Sequence, residues 1–340
     1  MACRCKPVRI FLLTCTLALI CYVQSASGAE GAYPNAERIR LSYTSITPSG
    51  APLWLPHELG LFREEGLNAE LIYVNSATRA LSALFAGQTQ LTTGGVSTAV
   101  QAYMSGGDPV AIAGTVNKLN VSVYSVPEVQ LPSDLKGKKL GITRLGGLYD
   151  FAANYALKKW GLSTGRDVVL IQIGEVPAIM AALESRSIHA AVLTTPFTVL
   201  ASQKGYRELI DLSKSDLEFQ NTTILSTRSL IKKSPDTFRR FIRAYSRGLA
   251  AYHTQKDITL KVMAKYIKGI DPFLLEKSYE AYKEWIPKTP YVNHAGMETA
   301  INLTLGSDKT KKIRLEDVLD ESFVKELEKT GFYKQLYRSY

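Results

Sequence analysis

Small and hydroxyl-bearing residues stand just before several helix-like segments of this chain. Ser76, Ser97 and the pair Gly146-Gly147 each precede a run of residues with helical apolar spacing. The first turn of a helix exposes unpaired N–H groups and the positive end of the dipole, and both attract an anion. Glycine lets a ligand approach the backbone, and serine adds a hydroxyl donor. The pattern predicts a site for a small polar or anionic molecule, although serine at such a position is also an ordinary helix cap.

Arg144 is the strongest candidate for pairing with a charged ligand, because it directly precedes the glycine pair. Its planar guanidinium suits a carboxylate, a sulfonate or a phosphate, and a surface salt bridge is the alternative. Trp54 either stacks on the ligand or packs the hinge. The predicted ligand-binding residues are Thr44, Ser45, Trp54, Ser76, Ala77, Gly94, Val96, Ser97, Arg144, Gly146, Gly147, Tyr149, Thr194 and Thr195.

Arrangements typical of enzymes and metal sites are poorly represented. The four histidines are isolated in the sequence, and no HExxH motif or metal-ligand spacing connects them. The nucleophile elbow GxSxG, the phosphate-binding loop and the dinucleotide fingerprint GxGxxG are also missing from the sequence. The sequence therefore predicts no catalytic residue, no metal site and no cofactor.

The first thirty residues have the order of a secretory signal. Arg4, Lys6 and Arg9 form a basic segment, and the apolar stretch Ile10–Val23 follows it. This stretch is too short for a bilayer, which needs roughly twenty apolar residues. Small residues up to Ala29 suit cleavage after that position. We expect residues 1–29 to be a cleaved signal peptide and the mature protein to be periplasmic.

The four cysteines, Cys3, Cys5, Cys15 and Cys21, all lie inside this predicted signal. The mature chain would then contain neither disulfides nor cysteine-based metal sites. A bacterial lipidation signal has a small residue just before its cysteine, whereas Ile20 precedes Cys21. We therefore do not expect Cys21 to carry a lipid.

The charge of the chain indicates a solvated surface. Removing the signal takes three positive charges and no negative ones from the formal net charge of +10, which leaves +7. The remaining basic residues are scattered, so nucleic-acid binding is not expected. No later stretch is apolar and long enough to span a membrane, and we expect a soluble monomer.

The site residues depend on alternating strands and helices that position them. The pattern of strand, helix and strand runs once, restarts after the turn-rich segment Pro127–Gly137, and gives way to helices beyond Pro235. This order predicts an α/β protein whose first lobe comprises residues 37–125 and 222–340, with residues 126–221 inserted as a second lobe. Ligands of open parallel sheets bind beyond the carboxyl ends of the strands, so the predicted site loops should meet in an interlobe cleft.

Ordered segments across residues 38–337 resemble the nitrate/taurine/sulfonate group of periplasmic substrate-binding proteins, which includes binders of pyrimidine precursors. The segments that carry the resemblance are Pro52–Trp54, Glu58–Phe62, Glu65–Leu67, Ala80-Leu81, Phe85–Gly87, Gly94-Gly95, Gly141–Arg144, Asp150–Ala152, Ala181–Leu183 and Ala190–Leu193 with Pro196. The resemblance implies a type II periplasmic-binding fold with two hinged lobes. It also implies an ABC permease and its ATPase as partners. The stretch Gly87–Gln90 lacks an acid that the family often has there.

Two other functions compete with import. The first is an enzyme on the same fold, such as a lyase or a pyrimidine-synthesis relative; the yeast-type pyrimidine synthase resembling this family needs a His/Cys-rich iron segment that the mature chain lacks. The second is a secreted sensor that presents its ligand to a membrane receptor. A small polar or anionic cargo remains the expectation, and members of the family bind chemically unrelated molecules.

Overall fold

The computed structural model describes Met1 and residues 36–306 and 312–338, and Glu37 onward forms one compact unit. The predicted signal peptide and its cleavage position lie outside the described residues. None of the described helices is long and apolar enough to cross a membrane.

Ten strands form two five-stranded sheets. The strands are β1 Glu37–Tyr43, β2 Leu67–Tyr73, β3 Leu91–Gly95, β4 Pro109–Val116, β5 Ser122–Ser125, β6 Lys138–Ile142, β7 Val168–Gln172, β8 Ala190–Leu193, β9 Arg207–Asp211 and β10 Thr222–Thr227. The first sheet has the order β2-β1-β3-β10-β4 and the second the order β7-β6-β8-β5-β9. Each sheet belongs to one lobe, so the fold is the predicted two-lobed α/β fold.

Helices connect the strands and cover the sheets. They are α1 Ala51–Glu58, α2 Leu61–Glu64, α3 Ala77–Phe85, α4 Val96–Met104, α5 Leu148–Lys159, α6 Val176–Glu184, α7 Phe197–Gln203, α8 Arg228–Lys233, α9 Pro235–Thr254, α10 Lys256–Tyr266, α11 Pro272–Trp285, α12 His294–Leu305, α13 Leu315–Val318, α14 Ser322–Lys329 and α15 Phe332–Leu336. The helical tail returns to the first lobe, where α9 packs on α1 and buries Phe241 and Tyr245. Gly248 permits this close packing, because a Cβ there would lie 2.5 Å from Pro56 Cδ.

One strand in each sheet runs against its neighbours. Strand β5 is antiparallel to β8 and β9, and β10 is antiparallel to β3 and β4. These are the strands that follow the two crossings between the sheets, at residues 117–121 and 212–221. The chain leaves one sheet at the carboxyl ends of its parallel strands and enters the other sheet at the corresponding edge. The entering strand must therefore run in the opposite direction, and both crossings lie at the edge where ligands bind.

We propose that the second lobe begins earlier than the sequence pattern predicts. Residues 122–125 were expected in the first lobe, but β5 pairs with both β8 and β9 of the second sheet. All four residues of β5 are buried, so the strand lacks the alternation that would indicate its position. We propose that the lobes meet at residues 117–121 and 212–221. Strand β9 and helix α7 complete the second lobe. The sequence pattern predicts neither of these two elements.

Candidate functional site

Two connected chambers lie between the sheets. The inner chamber has a volume of about 260 Å³ and is lined by hydroxyl and amide side chains, among them Thr44, Thr115, Asn120, Thr194 and Tyr282. The outer chamber has a volume of about 490 Å³, and its lining includes Ser97, Arg144, Gly147, Phe219 and Gln220. Gly95, Leu148 and Asn221 line both chambers. Both lobes and both crossings thus contribute to one cleft.

The two interlobe crossings are tied to each other at the wall of the inner chamber. The Asn221 side-chain amide on the second crossing donates a hydrogen bond to Oδ1 of Asn120 on the first crossing. The Asn221 backbone N–H donates to the Val116 carbonyl at 3.0 Å, at the end of β4. On the second-lobe side, the Leu212 N–H donates to the Val121 carbonyl at 3.0 Å. Any change at this amide pair therefore acts on both segments that join the lobes.

Tyr282 connects the helical tail to this hinge. Its hydroxyl accepts a hydrogen bond from Asn120 Nδ2 at 3.1 Å, and the Thr194 hydroxyl of the second lobe donates to the Asn120 carbonyl at 2.8 Å. Burial raises the pKa of Tyr282, and hydrogen bonds with Thr194, Thr47 and Asn120 oppose that rise. Tyr282 is therefore a neutral phenol at physiological pH, and it contacts groups from both lobes.

The positively charged and partly positive groups of the site line the outer chamber. The first turns of α4 and α5 belong to opposite lobes, and both contribute residues to the lining. Arg144 lies beside them, exposed, and no described residue forms an ion pair or hydrogen bond with its guanidinium. Asp150 accepts a hydrogen bond from the Gly146 N–H at 2.8 Å and another from Asn154 Nδ2 at 2.8 Å, which orders the loop before α5. Two helix N-termini and the unpaired Arg144 guanidinium attract an anionic group in this chamber, and the Asp150 carboxylate in the same lining offsets part of that attraction.

Ten of the fourteen predicted residues line the two chambers. Those in the inner chamber are Thr44, Ser45, Gly94, Tyr149 and Thr194, and those in the outer chamber are Val96, Ser97, Arg144, Gly146 and Gly147. Gly147 lies against Arg144, because a Cβ on it would be 3.2 Å from Arg144 Cγ. The loops that follow the first and third strands of lobe 1 and the first strand of lobe 2 are thus brought together.

The other four predicted residues lie outside both linings. Trp54 is fully buried in the first-lobe core and stacks on Tyr266 with ring centroids 4.4 Å apart, so the structure places it in the core and not in either lining. Ser76 caps α3 by accepting a hydrogen bond from the Arg79 N–H, and Ala77 follows it at the same helix end. Thr195 faces a separate cavity of about 200 Å³ behind Asn120, and its hydroxyl bonds that of Thr198.

Sequence reasoning missed the lining residues that come from the crossings and the tail. Asn120, Phe219, Gln220, Asn221 and Tyr282 stand in no glycine-rich or helix-starting motif. The only unusual sequence feature is that Asn120 and Asn221 each begin an Asn-x-Ser/Thr triplet, which does not indicate a cleft. Within residues 36–306 and 312–338, no group of three or more His, Cys, Asp or Glu side chains could hold a metal ion.

A family model described as NMT1/THI5 like matches residues 47–257. The chain belongs to this family. The matched span covers both crossings and most of both chambers, and it confirms the resemblance to the nitrate/taurine/sulfonate group. YtlA of Bacillus subtilis (strain 168), described as a candidate binding protein, is 26% identical over 241 residues, which are 69% of this chain and 72% of YtlA.

Solved structures share the fold at low sequence identity. The periplasmic aliphatic sulphonate binding protein SsuA from Escherichia coli superposes with a TM-score of 0.68 at 18% identity, over 85% of this chain and 99% of SsuA. The desulfurization enzyme DSZB superposes with a TM-score of 0.68 at 15% identity, over 86% of this chain and 100% of DSZB. The same architecture therefore serves both binding and catalysis, and the residues of the cleft have to distinguish the two functions.

Proposed function

We propose that this protein is the exported substrate-binding component of an ABC importer, and that it captures a small polar or anionic molecule between its lobes. The cargo would be delivered to a membrane permease driven by an ATPase. The observation that carries this proposal is the cleft itself. Its walls come from both lobes and both crossings, so a ligand there would contact every part that moves when the lobes close.

The cleft chemistry supports binding in preference to catalysis. The residues that line the two chambers include no Cys, His, Lys or Glu, and Arg144 and Asp150 are their charged members. Asp150 is engaged by the Gly146 N–H and by Asn154. A hydroxyl nucleophile would need a neighbouring base, which these linings do not provide. An enzyme of the DSZB kind is therefore the weaker candidate.

The export step rests on the sequence order of residues 1–29. When the full chain is expressed in a Gram-negative host, we expect a mature protein that begins near Glu30 and is released by osmotic shock. N-terminal sequencing of the shock fraction measures this directly. An intact N-terminus retained in the cytosol, or a lipid on Cys21, would contradict the export proposal.

Import is tested by binding and uptake together. A thermal-shift screen should cover nitrate, sulfonates, amino-sulfonates, carboxylates, pyrimidines and flavin precursors. A ligand at about 100 times its Kd adds about 2.7 kcal/mol to the free energy of unfolding. Deletion of the gene should then abolish uptake of that radiolabelled ligand, and the wild-type gene should restore uptake. Binding with unimpaired uptake would favour the sensor, and conversion of the ligand into a product would favour the enzyme.

A further inference from the structure

A third cavity lies behind Asn120, which also lines the inner chamber, and we call it the rear cavity. Its walls come from strands β5 and β9 and helix α7 of the second lobe, and from helix α11 of the tail. Its volume is about 200 Å³. A molecule bound in the rear cavity would contact both the second sheet and the helical tail without entering the cleft.

Strand register brings four polar side chains to one wall of the rear cavity. Ser122 of β5 lies opposite Asp211 of β9, and Tyr124 lies opposite Glu208. A register shift after Val123 puts Glu208 and Asp211 on the same face of β9, although alternation alone would put them on opposite faces. Residues paired across two strands share a face of the sheet, so all four side chains point towards the cavity that they line.

The lining of the rear cavity has an excess of negative charge. Its charged members are the carboxylates of Glu208 and Asp211 and the ammonium group of Lys214. Lys214 pairs with Asp211 at 3.0 Å, and Asp211 also accepts hydrogen bonds from the N–H and the hydroxyl of Ser213. No described cation forms an ion pair with Glu208. Glu208 is therefore the carboxylate of the lining that is free to pair with a cation.

A hydroxyl group of the same wall also lacks a protein partner. Ser122 is 5% exposed, and no described residue hydrogen-bonds its hydroxyl. Its oxygen is not enclosed by protein atoms, so a molecule in the rear cavity can reach it. The Tyr124 hydroxyl, in contrast, bonds that of Ser202 at 2.9 Å. Burial raises the pKa of Tyr124 to about 12, the Ser202 bond opposes that rise, and nearby Glu208 adds to it, so the phenol stays neutral.

Another part of the lining is apolar. Val199 of α7 and Ala281 and Trp285 of α11 provide it. The Trp285 ring is partly buried and meets the Tyr282 ring edge to face, with centroids 4.9 Å apart. An indole ring packs against apolar groups and also attracts a cation that lies over its face. The rear cavity thus combines a free carboxylate, an accepting hydroxyl and an aromatic surface.

We propose that the rear cavity is a second binding site, which takes a small organic ammonium ion. The ammonium group lies between Glu208 and Ser122, and the apolar part of the molecule packs against Trp285. An ammonium group has three donors and no acceptor, so it suits a carboxylate and a hydroxyl that both accept. The proposal goes beyond the import function, because it concerns neither the cleft nor its cargo.

Other classes of ligand fit the rear cavity less well. A metal ion would need more ligands, and no group of three or more His, Cys, Asp or Glu side chains within residues 36–306 and 312–338 could hold one. An anion would meet the unpaired Glu208 carboxylate. The volume of about 200 Å³ lies below the range of roughly 300–1,000 Å³ that is typical of ligand pockets, so the occupant is small.

The rear cavity and the inner chamber have Asn120 and helix α11 in common. Asn120 lines both, and α11 contributes Tyr282 to the inner chamber and Ala281 and Trp285 to the rear cavity. Asn120 is also the residue of the first crossing that bonds Asn221 of the second. A cation in the rear cavity would therefore contact a residue of the hinge from outside the cleft.

Two probes of the same size that differ in charge test this proposal. Benzylamine stays protonated at neutral pH, as the lysine side chain does, and benzyl alcohol is its uncharged counterpart. Calorimetry with the mature protein should show that benzylammonium binds at least roughly tenfold more tightly than benzyl alcohol, because only the ammonium group pairs with Glu208. Added salt should weaken the binding of benzylammonium, since it screens that pair.

Two charge changes with opposite expected effects locate the ammonium group. Glu208→Gln removes the free carboxylate and should weaken benzylammonium by roughly three- to tenfold. Lys214→Gln removes the cation of the lining and should strengthen benzylammonium by roughly two- to fivefold. Glu128→Gln and Lys204→Gln are the matched controls, because both residues are exposed in the second lobe and line none of the three cavities. Both controls should bind like the parent.

A third substitution locates the apolar part of the probe. Trp285→Leu removes the ring from the lining and should weaken both benzylammonium and benzyl alcohol by roughly three- to tenfold. Phe273→Leu is the control, since Phe273 is an exposed aromatic residue on the same helix and lines none of the three cavities. Circular dichroism of each variant establishes that it is folded.

Equal affinity for benzylammonium and benzyl alcohol would overturn the proposal, as would the absence of benzylammonium binding up to roughly 10 mM. Binding of benzylammonium that neither Glu208→Gln nor Lys214→Gln changes would also overturn it, because the cation would then lie elsewhere on the protein. The uptake assay with the deletion strain decides the import function independently of these outcomes.

Discussion

The inner and outer chambers of the cleft lie side by side but are built from different kinds of sequence. The outer chamber is formed by the first turns of α4 and α5 with the glycines before them, and by residues of the second crossing and of α12. The inner chamber takes one wall from Asn120, Asn221 and Tyr282, which come from the crossings and the tail. Binding residues at the start of a helix can be recognised from the neighbouring sequence. Asn120, Asn221 and Tyr282 form a binding wall only after distant segments of the chain have packed together.

The largest expected effect comes from the backbone that both chambers share. A Cβ on Gly296 of α12 would lie 2.4 Å from the Phe219 carbonyl carbon, on the crossing that lines the cleft. Gly296→Ala should displace that crossing and lower the free energy of unfolding by about 3 kcal/mol, as overpacking does. Urea denaturation measures the change, and affinity should fall for every ligand.

The exposed residue Glu298 on the same helix provides the control for this change, and Glu298→Ala should be nearly neutral. If Gly296→Ala unfolds at the same urea concentration as the parent and binds normally, the second crossing does not depend on its packing against α12. The packing of α12 against residues 212–221 would then contribute little to the stability of the fold or to ligand affinity.

Arg144→Ala should lower the affinity for ligands with an anionic group and leave the affinity for ligands held only by the inner chamber nearly unchanged. For a ligand with an anionic group, losing a charge-assisted hydrogen bond costs about 1.5–3 kcal/mol, or roughly ten- to more than a hundredfold in affinity. A ligand held only by the inner chamber should be nearly unaffected. Calorimetric Kd values for both kinds of ligand measure the contrast, with Arg79→Ala as the control because Arg79 is exposed and lines neither chamber. Equal losses of affinity for both kinds of ligand would show that Arg144 does not distinguish a ligand in one chamber from a ligand in the other.

The amide pair of the hinge should show energetic coupling. Asn120→Ala and Asn221→Ala each break the hydrogen bond between the crossings, so the double variant should lose less free energy of unfolding than the sum of the single variants. We expect a coupling of about 1 kcal/mol from urea denaturation of the four proteins. Strict additivity would show that the pair does not join the crossings in solution.

The smallest expected effect is that of pH. It should change the free energy of unfolding and leave the affinity of the inner chamber for a neutral ligand unchanged. Burial lowers the pKa values of His57, His189 and His253, and no histidine lines either chamber. The folded state therefore disfavours protonation. The stability that these groups contribute is complete above the unfolded pKa near 6.5 and is lost as the pH falls below it.

Thermal unfolding from pH 8 to pH 5 should show this loss, and His253→Gln should reduce it. The Kd of a neutral ligand should stay constant between pH 6 and pH 8. A neutral ligand whose affinity changes across that range would show that a titrating group reaches the inner chamber.

The fold was largely predictable because its signals are local. Alternating strands such as β1 and apolar helical spacing as in α3 show where most elements lie. The structure differs from the prediction where tertiary contacts determine which way a side chain faces or which sheet a strand joins. Trp54 follows a polar loop of the predicted site, yet its ring packs against Tyr266 in the core. Strand β5 is uniformly buried, so its sequence does not reveal which sheet it joins.

By itself, the sequence determined the α/β class, the family resemblance, and the glycine and serine loops that precede α4 and α5. These properties follow from backbone preferences and short-range spacing, which each segment carries within its own residues. Only the tertiary structure decided that Asn120, Asn221 and Tyr282 form one wall, because 101 residues separate the two asparagines and 162 separate Asn120 from the tyrosine. A contact over such a distance depends on how the two sheets and the helical tail pack together, and no single segment records that packing.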